Sequence, residues 1–419
     1  MKQLLFLAHR IPFPPNKGDK IRSFHALRYL AQHFRVYLGA FVDDPEDWPR
    51  AEGAKDFCEE AFFTGLSKPA ATVRSLSGFL SDRPLTLPYY FDTRMSKWVK
   101  KTLGSRNIEA IFVYSAAMGQ YVERAHDVRK IVDFVDVDSD KWRQYKESLT
   151  GIKRWVYSRE ADRLFRYERH LANLSDRSFF VSDAEAALFR RLAPEVAGKV
   201  SYYNNGVDLE FFSPDYVCGS PYAADELGIV FTGAMDYWPN VDAVTWFSAE
   251  ILPQVRSAVP NAVFYIVGSN PSSEVLRLGT QPGIRVTGRV DDIRPFVRHA
   301  SVAVAPLRLA RGVQNKVLEA MACGKAVVLT SQALEGIEAQ PGRDLVLADS
   351  AAGFAAAVIR LLQSPDRSLE ISARGVMERG YGWEPNLSRL LDAILGNHSP
   401  GPSIPTKSSS DALPFVGSI

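Results

Sequence analysis

The sequence predicts an α/β protein built as two doubly wound domains in tandem. Three observations carry that expectation. Short apolar runs rich in β-branched and aromatic residues recur along the chain with helical spacers between them, as parallel sheets require. The runs fall into two series, separated by a stretch with two prolines and a glycine. At 419 residues the chain is also longer than one hydrophobic core usually supports, so domains of roughly 200 residues each are expected.

The first series holds "QLLFLAH" (3–9), "RVYLGAFV" (35–42), "EAIFVYS" (109–115), "KIVDFVD" (130–136) and "RSFFVS" (177–182). The second holds "GIVFTG" (228–233), "VFYIVG" (263–268), "IRVTG" (284–288), "VAVAPL" (302–307), "AVVLT" (326–330) and "DLVLA" (344–348). Between them "SPDYVCGSPYAAD" lacks periodicity and reads as the linker. After Trp383, "EPNLSRLLDAIL" is a last amphipathic helix with Pro385 in its first turn, where a missing N–H does no harm. The Pro-, Ser- and Gly-rich end of the chain reads as a disordered tail.

Composition bounds the function. Hydrophobic residues at 46% and charged residues at 23% are ordinary globular usage. A net charge of +2 gives no support for nucleic acid as the principal partner. Three scattered cysteines form neither a disulfide framework nor a zinc spacing and fit a reducing cytoplasm. The apolar run near the N-terminus is too short for a secretory signal, and no stretch of about 18 apolar residues could span a bilayer. A cytoplasmic protein is expected, on the inner face of the membrane if it meets one.

Ligand sites in such sheets form outside the carboxyl ends of the strands, so the loops after the runs are where chemistry is sought. In "APLRLARGVQNKVLEAMACGKAVV" a strand ends near Pro306, Gly312 frees the backbone, and a helix starts near Gln314 or Asn315. Its last residue is expected at Cys323, with Gly324 at the C′ position. Its N-terminus suits phosphate, with Arg308, Arg311 and Lys316 around it. Glu319 lies one turn beyond Asn315 on the same face. Its carboxylate can accept two hydrogen bonds from a vicinal diol such as a ribose. Spacing alone leaves a second reading open, in which Glu319 is solvated or paired with Lys316.

In the first domain, Gly18 and Asp19 of "PPNKGDK" either line the cleft or belong to a plain turn. "DVDSDKW" places Asp136, Asp138 and Asp140 after a strand, where Asp136 either orients a substrate hydroxyl or is a solvated loop acid. Three alternating acids also resemble a metal cluster. His9 and His25 read as structural histidines, and no hydrolase triad is supported. Residues 153–174 mix basic and aromatic side chains in a long helix, which either packs on its own domain or lies on an anionic membrane.

"FTGAMDYWPNVDAVTWF" (231–247), "FYIVGSNP" (264–271), "VTGRVDDIRPF" (286–296) and "VAPLRLARGVQNKVLEAMACGKAVV" (304–328) resemble the donor half of glycosyltransferase family 4, retaining enzymes of the GT-B fold. "FFVSDAE" and "NNGVDLEFFSP" extend the likeness into the first domain, and Trp383 matches an aromatic residue before a helix that crosses back. "HRIPFPPNKGDKIRSFHALRYLA" and "VDFVDVDSDKW" look like a bacterial subgroup accompanying exosortase (PEP-CTERM) exopolysaccharide systems.

The resemblance implies two Rossmann-like domains facing across a cleft: residues 1–212, a linker 213–226, a donor domain 227–383, a crossover helix 384–396 and a tail 397–419. It implies sugar transfer from a nucleotide diphosphate sugar to a glycan or polyprenyl-linked acceptor, with no metal or other cofactor. The leaving phosphate itself would take the acceptor proton. The donor-binding set is then Glu319, Lys316, Asn315, Val313, Gly312, Arg308, Arg289 and Gly233, with Gly18 and Asp19 on the acceptor side and Asp136 as the catalytic candidate.

Three positions depart from the family. Arg311 stands eight residues before Glu319, where relatives often carry a first glutamate. "GAMDYWPN" lacks the Arg and Lys that commonly bind the pyrophosphate, leaving that charge to Lys316, Arg308 or Arg289. "IFVYSAAMG" offers Tyr114 and Ser115 in place of a common histidine. Two other readings stay open: a GT-B protein that binds a nucleotide sugar without turnover, and a nucleotide-sugar epimerase.

Overall fold

The computed structural model describes residues 1–15, 18–310 and 312–397; of Asp19 and Ser148 it describes the backbone alone. The expected tail beyond Asn397, and Arg311, lie outside the described residues.

Seven parallel strands make the first sheet: β1 (Lys2–Ala8), β2 (Phe34–Val42), β3 (Glu60–Gly65), β4 (Ile108–Tyr114), β5 (Arg129–Val135), β6 (Arg177–Phe180) and β7 (Val200–Tyr202). Their spatial order is β3-β2-β1-β4-β5-β6-β7. Six more make the second: β8 (Leu227–Thr232), β9 (Ala262–Val267), β10 (Ile284–Gly288), β11 (Val302–Ala305), β12 (Val327–Leu329) and β13 (Val346–Leu347), ordered β10-β9-β8-β11-β12-β13. Both sheets therefore reverse their winding once, between β1 and β4 and between β8 and β11. A doubly wound sheet binds its ligand at that switch point.

The side chains of β1 show why the run is continuously apolar. Leu4, Phe6 and Ala8 enter one buried cluster while Leu5 and Leu7 enter another on the opposite face. A strand covered on both sides has no polar face to alternate. All eleven expected runs hold a strand. The two missing from the sequence reading, β3 and β7, are edge strands. Most of β3 is only half-buried and β7 has three residues, so neither leaves a strong apolar signal.

Residues 213–226 join the sheets without a helix or strand. The chain crosses back beside them, and Val207 donates its N–H to Tyr381 O at 2.7 Å. The final helix, Trp383–Leu395, then returns to the first domain. Leu387, Leu390 and Ile394 recur on one face and join the cluster of Leu4 and Phe6. Trp383 stacks on His25 with ring centroids 4.3 Å apart. Burial in that stack lowers the His25 pKa to about 4, the environment of a packing residue. Gly396, in the left-handed region at φ 80°, ends the helix.

Candidate functional site

The second-domain wall is built where β8 and β9 end. Gly233 N donates to Val267 O at 3.0 Å, and a Cβ placed on Gly268 would stand 1.6 Å from Gly233 O. Only glycine lets the two backbones approach this closely. Lys316 reaches the same point from its own helix, Asn315–Ala322. Its Nζ donates to Asn240 Oδ1 at 2.6 Å and stands 4.1 Å from the Phe231 ring centroid. A Cβ on Gly233 would meet that Nζ at 3.2 Å. The side chain of Lys316 thus places an amine beside Gly233, next to a loop, "GAMDYWPN", that has no basic residue of its own.

The helix carrying Lys316 ends one residue earlier than its sequence suggests. Cys323 is the cap rather than the last helical residue, and Gly324 at φ 66° turns the chain in the left-handed region. Glu319 is half-buried one turn along, and among the described residues no hydrogen bond reaches its carboxylate. Burial raises its pKa to about 7 against the opposing pull of Lys316. Burial likewise lowers Lys316 to about 7, with Glu319 acting the other way. Val313 packs under this loop, its Cγ2 lying 3.2 Å from a Cβ built on Gly336.

Two of the expected phosphate ligands point elsewhere. Arg308 forks onto the carboxylate of Asp242, with Nε at 3.1 Å from Oδ2, and lies over the Trp246 ring. Arg289 reaches across to the first domain, where Nη1 meets Glu46 Oε2 at 2.6 Å. Loop arginines take the nearest carboxylate, and sequence does not say which that is. Of the three cations considered, Lys316 is the one beside Gly233.

The first-domain wall meets this one at two places. A Cβ on Gly18, the first residue of the helix Gly18–Ala31, would lie 3.6 Å from Asn315 Nδ2. Two helix N-termini therefore converge, each carrying a positive dipole end. A Cβ on Gly312, at φ 67°, would lie 3.7 Å from Asp136 Oδ1. Asp136 itself accepts from Lys141 Nζ at 2.6 Å, and Asp138 takes the same ammonium at 3.1 Å. Burial opposes the charge on Lys141, but Asp138 and Asp136 together hold its pKa above the ordinary value. Asp140 pairs with Arg143 at 3.6 Å. The three alternating acids are thus matched to cations of the chain, and no group of metal-ligating side chains gathers among the described residues. Of Asp19 only the backbone, inside the first helix, is described.

A buried network that the sequence reading missed holds the walls together. Arg22, 1% exposed, donates to Asp133 through Nε at 2.8 Å and Nη2 at 3.3 Å. It also donates to Tyr203 O at 2.9 Å and Asn205 Oδ1 at 3.0 Å. The Tyr203 hydroxyl closes the circuit on Asp133, and the Tyr203 ring lies 3.5 Å from the guanidinium. Asn205 then donates from Nδ2 to Asn315 Oδ1 at 3.3 Å, linking the first-domain core to the N-terminus of the Lys316 helix. One signal was available: Asp133 is a charge inside the buried run "KIVDFVD", and a buried charge requires a partner.

Two parallel-sheet domains, in contact through the loops at their carboxyl edges, define the GT-B architecture. Residues 226–364, about a third of the chain, match a family model described as glycosyl transferases group 1. Among curated proteins, D-inositol 3-phosphate glycosyltransferase 2 of Catenulispora acidiphila is 26% identical over 248 residues, 54% of this chain and 57% of that protein. The chain thus spans little more than half of that relative's length. Among solved structures, sucrose-phosphate synthase of Thermosynechococcus elongatus superposes with a TM-score of 0.69 at 17% identity, covering 95% of this chain and all of that one. HepE of Anabaena, solved in complex with UDP, gives a TM-score of 0.63 at 14% identity, over 94% of this chain and 100% of that one. At these identities the structures establish the shared fold.

Proposed function

We propose that this protein is a retaining glycosyltransferase that moves a sugar from a nucleoside diphosphate sugar to a glycan or lipid-linked acceptor. The observation that carries the proposal is the helix Asn315–Ala322: its N-terminus meets that of the first helix, Lys316 stands at its head, and Glu319 follows with no hydrogen bond to the described residues. A diphosphate placed between the two helix ends finds converging N–H groups and an ammonium. Glu319 then accepts from the two ribose hydroxyls, and that contact compensates its desolvation.

In this reading the protein contributes position and charge. Lys316 and the helix ends stabilise the departing diphosphate, which takes the proton of the acceptor hydroxyl, while Asp136 orients that hydroxyl from across the cleft. No step is assigned to a metal. The UDP held by HepE, and its complex with UDP-glucose, support a uridine nucleotide as the first donor to test. The likeness of the first-domain loops to exosortase-associated proteins supports an exopolysaccharide intermediate as the acceptor, made at the inner face of the cytoplasmic membrane.

The test is incubation of the folded protein with radiolabelled nucleotide sugars, beginning with UDP-glucose, and extracted lipid-linked acceptors. Transfer with retained anomeric configuration is expected. Failure with every donor contradicts the proposal. Arg311 in place of a glutamate favours one second reading, a protein that binds a nucleotide sugar without turnover. Saturable nucleotide binding with neither transfer nor donor hydrolysis would support that reading.

A further inference from the structure

The helix Gly151–Leu174 is not the uniformly membrane-facing element its composition allows. Leu164, Tyr167 and Leu171 are buried in the first domain, so most of its apolar surface is already covered. The exception is its first turn, where Ile152 is 82% exposed and Trp155 59%. These two do not stand alone. Trp155 stacks on Phe79 with ring centroids 6.0 Å apart, and Phe79 belongs to a second strip in which Leu80 is 92% exposed, Val73 70% and Leu76 54%. Two segments far apart in sequence, 68–80 and the start of the helix Gly151–Leu174, thus meet through that stack and carry their exposed apolar side chains beside it. Scattered exposed apolar residues need no explanation, but a contiguous group does.

This surface is held rigidly from beneath. The buried Arg159 donates to the carbonyls of Gly78 and Ser81, the latter at 2.9 Å, and its guanidinium lies 4.9 Å from the Phe79 ring. The neighbouring Glu160, also buried, accepts from Leu85 N at 2.6 Å and from Thr86 N at 3.0 Å. Two buried charges therefore pin the turn that displays Leu80.

Charge decides what the surface fits. Lys68, Lys153 and Arg154 are exposed on the same elements and make no ion pair among the described residues. Asp82, the acid of the displayed turn, is matched by Arg163 at 3.1 Å and Arg166 at 2.8 Å. Topology decides where it lies. The helix runs directly into β6, so it is antiparallel to the strands and its first turn sits at their carboxyl edge, where Asp136 also lies. With 24 residues it is about 36 Å long, against about 23 Å for β5, so that turn overhangs the sheet. Trp142, from the helix after Asp136, packs on Tyr157 at 4.7 Å between centroids.

We propose that this surface docks on an anionic lipid bilayer, with Leu80, Ile152 and Trp155 entering the interface and Lys68, Lys153 and Arg154 meeting the headgroups. Docking there turns the Asp136 wall of the cleft toward a lipid-linked acceptor. That consequence rests on the proposed transfer; the docking does not, and it is tested without donor or acceptor.

The full chain is sedimented with phosphatidylcholine vesicles containing roughly one third phosphatidylglycerol and with pure phosphatidylcholine. Binding is expected to the anionic vesicles, weaker binding to the neutral ones, and a roughly tenfold loss for Leu80→Ser/Ile152→Ser/Trp155→Ser. All three positions are on the surface, so an unchanged melting curve verifies folding. Absence of vesicle binding, or equal binding by the triple variant, overturns the proposal. So does a wild-type dimer, seen by sedimentation velocity, that the triple substitution dissolves while vesicles bind neither protein, because the surface then joins two copies. Transfer to a soluble acceptor should be the same in both proteins, which separates loss of docking from loss of activity.

Discussion

The two walls of the cleft handle charge in opposite ways. In the first domain, Arg22 and Asp133 are fully buried but satisfied on every side, by each other, by Tyr203 and by Asn205. In the second, Lys316 and Glu319 are drawn toward neutrality by burial, and the carboxylate has no hydrogen bond among the described residues. The difference separates a charge pair whose contacts fix geometry from a carboxylate whose burial Lys316 offsets in part and, in the proposed function, a bound diol offsets further.

The contrast can be broken most forcefully at Asp133. Asp133→Ala strands the Arg22 charge in the core and should cost about 3–5 kcal/mol of stability, read by urea unfolding. A cost below about 1 kcal/mol would mean that Asp133 is not scaffold. Glu319→Ala should do the reverse, leaving the fold at least as stable while weakening nucleotide binding by about 1.5–3 kcal/mol in calorimetry. The sign follows from its raised pKa. Ionised Glu319 lowers stability progressively as pH rises from its ordinary 4.5 to about 7, so the variant gains most above pH 7.

Asn205 joins the two behaviours, and its removal should be milder. Asn205→Ala breaks the bond to Asn315 and takes one acceptor from Arg22, so it is expected to cost about 1 kcal/mol of nucleotide affinity and about 1.5–3 kcal/mol of stability. Unchanged affinity would show that the network ends in the first domain. The smallest effect is on pH dependence. In the proposed function a diphosphate sugar meets an ionised Glu319 and a charged Lys316; burial moves both pKa values to about 7, so affinity should peak near neutrality and fall on either side. Lys316→Met should remove the alkaline fall and retain the acidic one.

The same contrast explains what the sequence disclosed. The second wall is local: Gly312, Asn315, Lys316 and Glu319 lie within eight residues, and a helix with Gly324 after its cap announces which side chains share a face. The first wall is assembled from Gly18 and Arg22 of the first helix, Asp133 and Asp136 in and just after β5, and Asn205 after β7, three places that only the sheet order brings together. The buried strands were legible from apolar runs, the edge strands β3 and β7 were not, and loop arginines such as Arg289 and Arg308 gave no hint of their carboxylate partners. Composition likewise marked the helix Gly151–Leu174 as amphipathic without saying which face the fold covers.

The nucleotide role of Glu319 is tested most directly by one comparison of ligand-induced stability. Wild-type protein and Glu319→Ala are melted with a panel of nucleoside diphosphate sugars, where a ligand bound at a hundred times its Kd adds about 2.7 kcal/mol. At least one donor is expected to raise the wild-type midpoint, and the variant to lose most of that rise. A wild type that no donor stabilises, or a variant stabilised equally, would contradict that role.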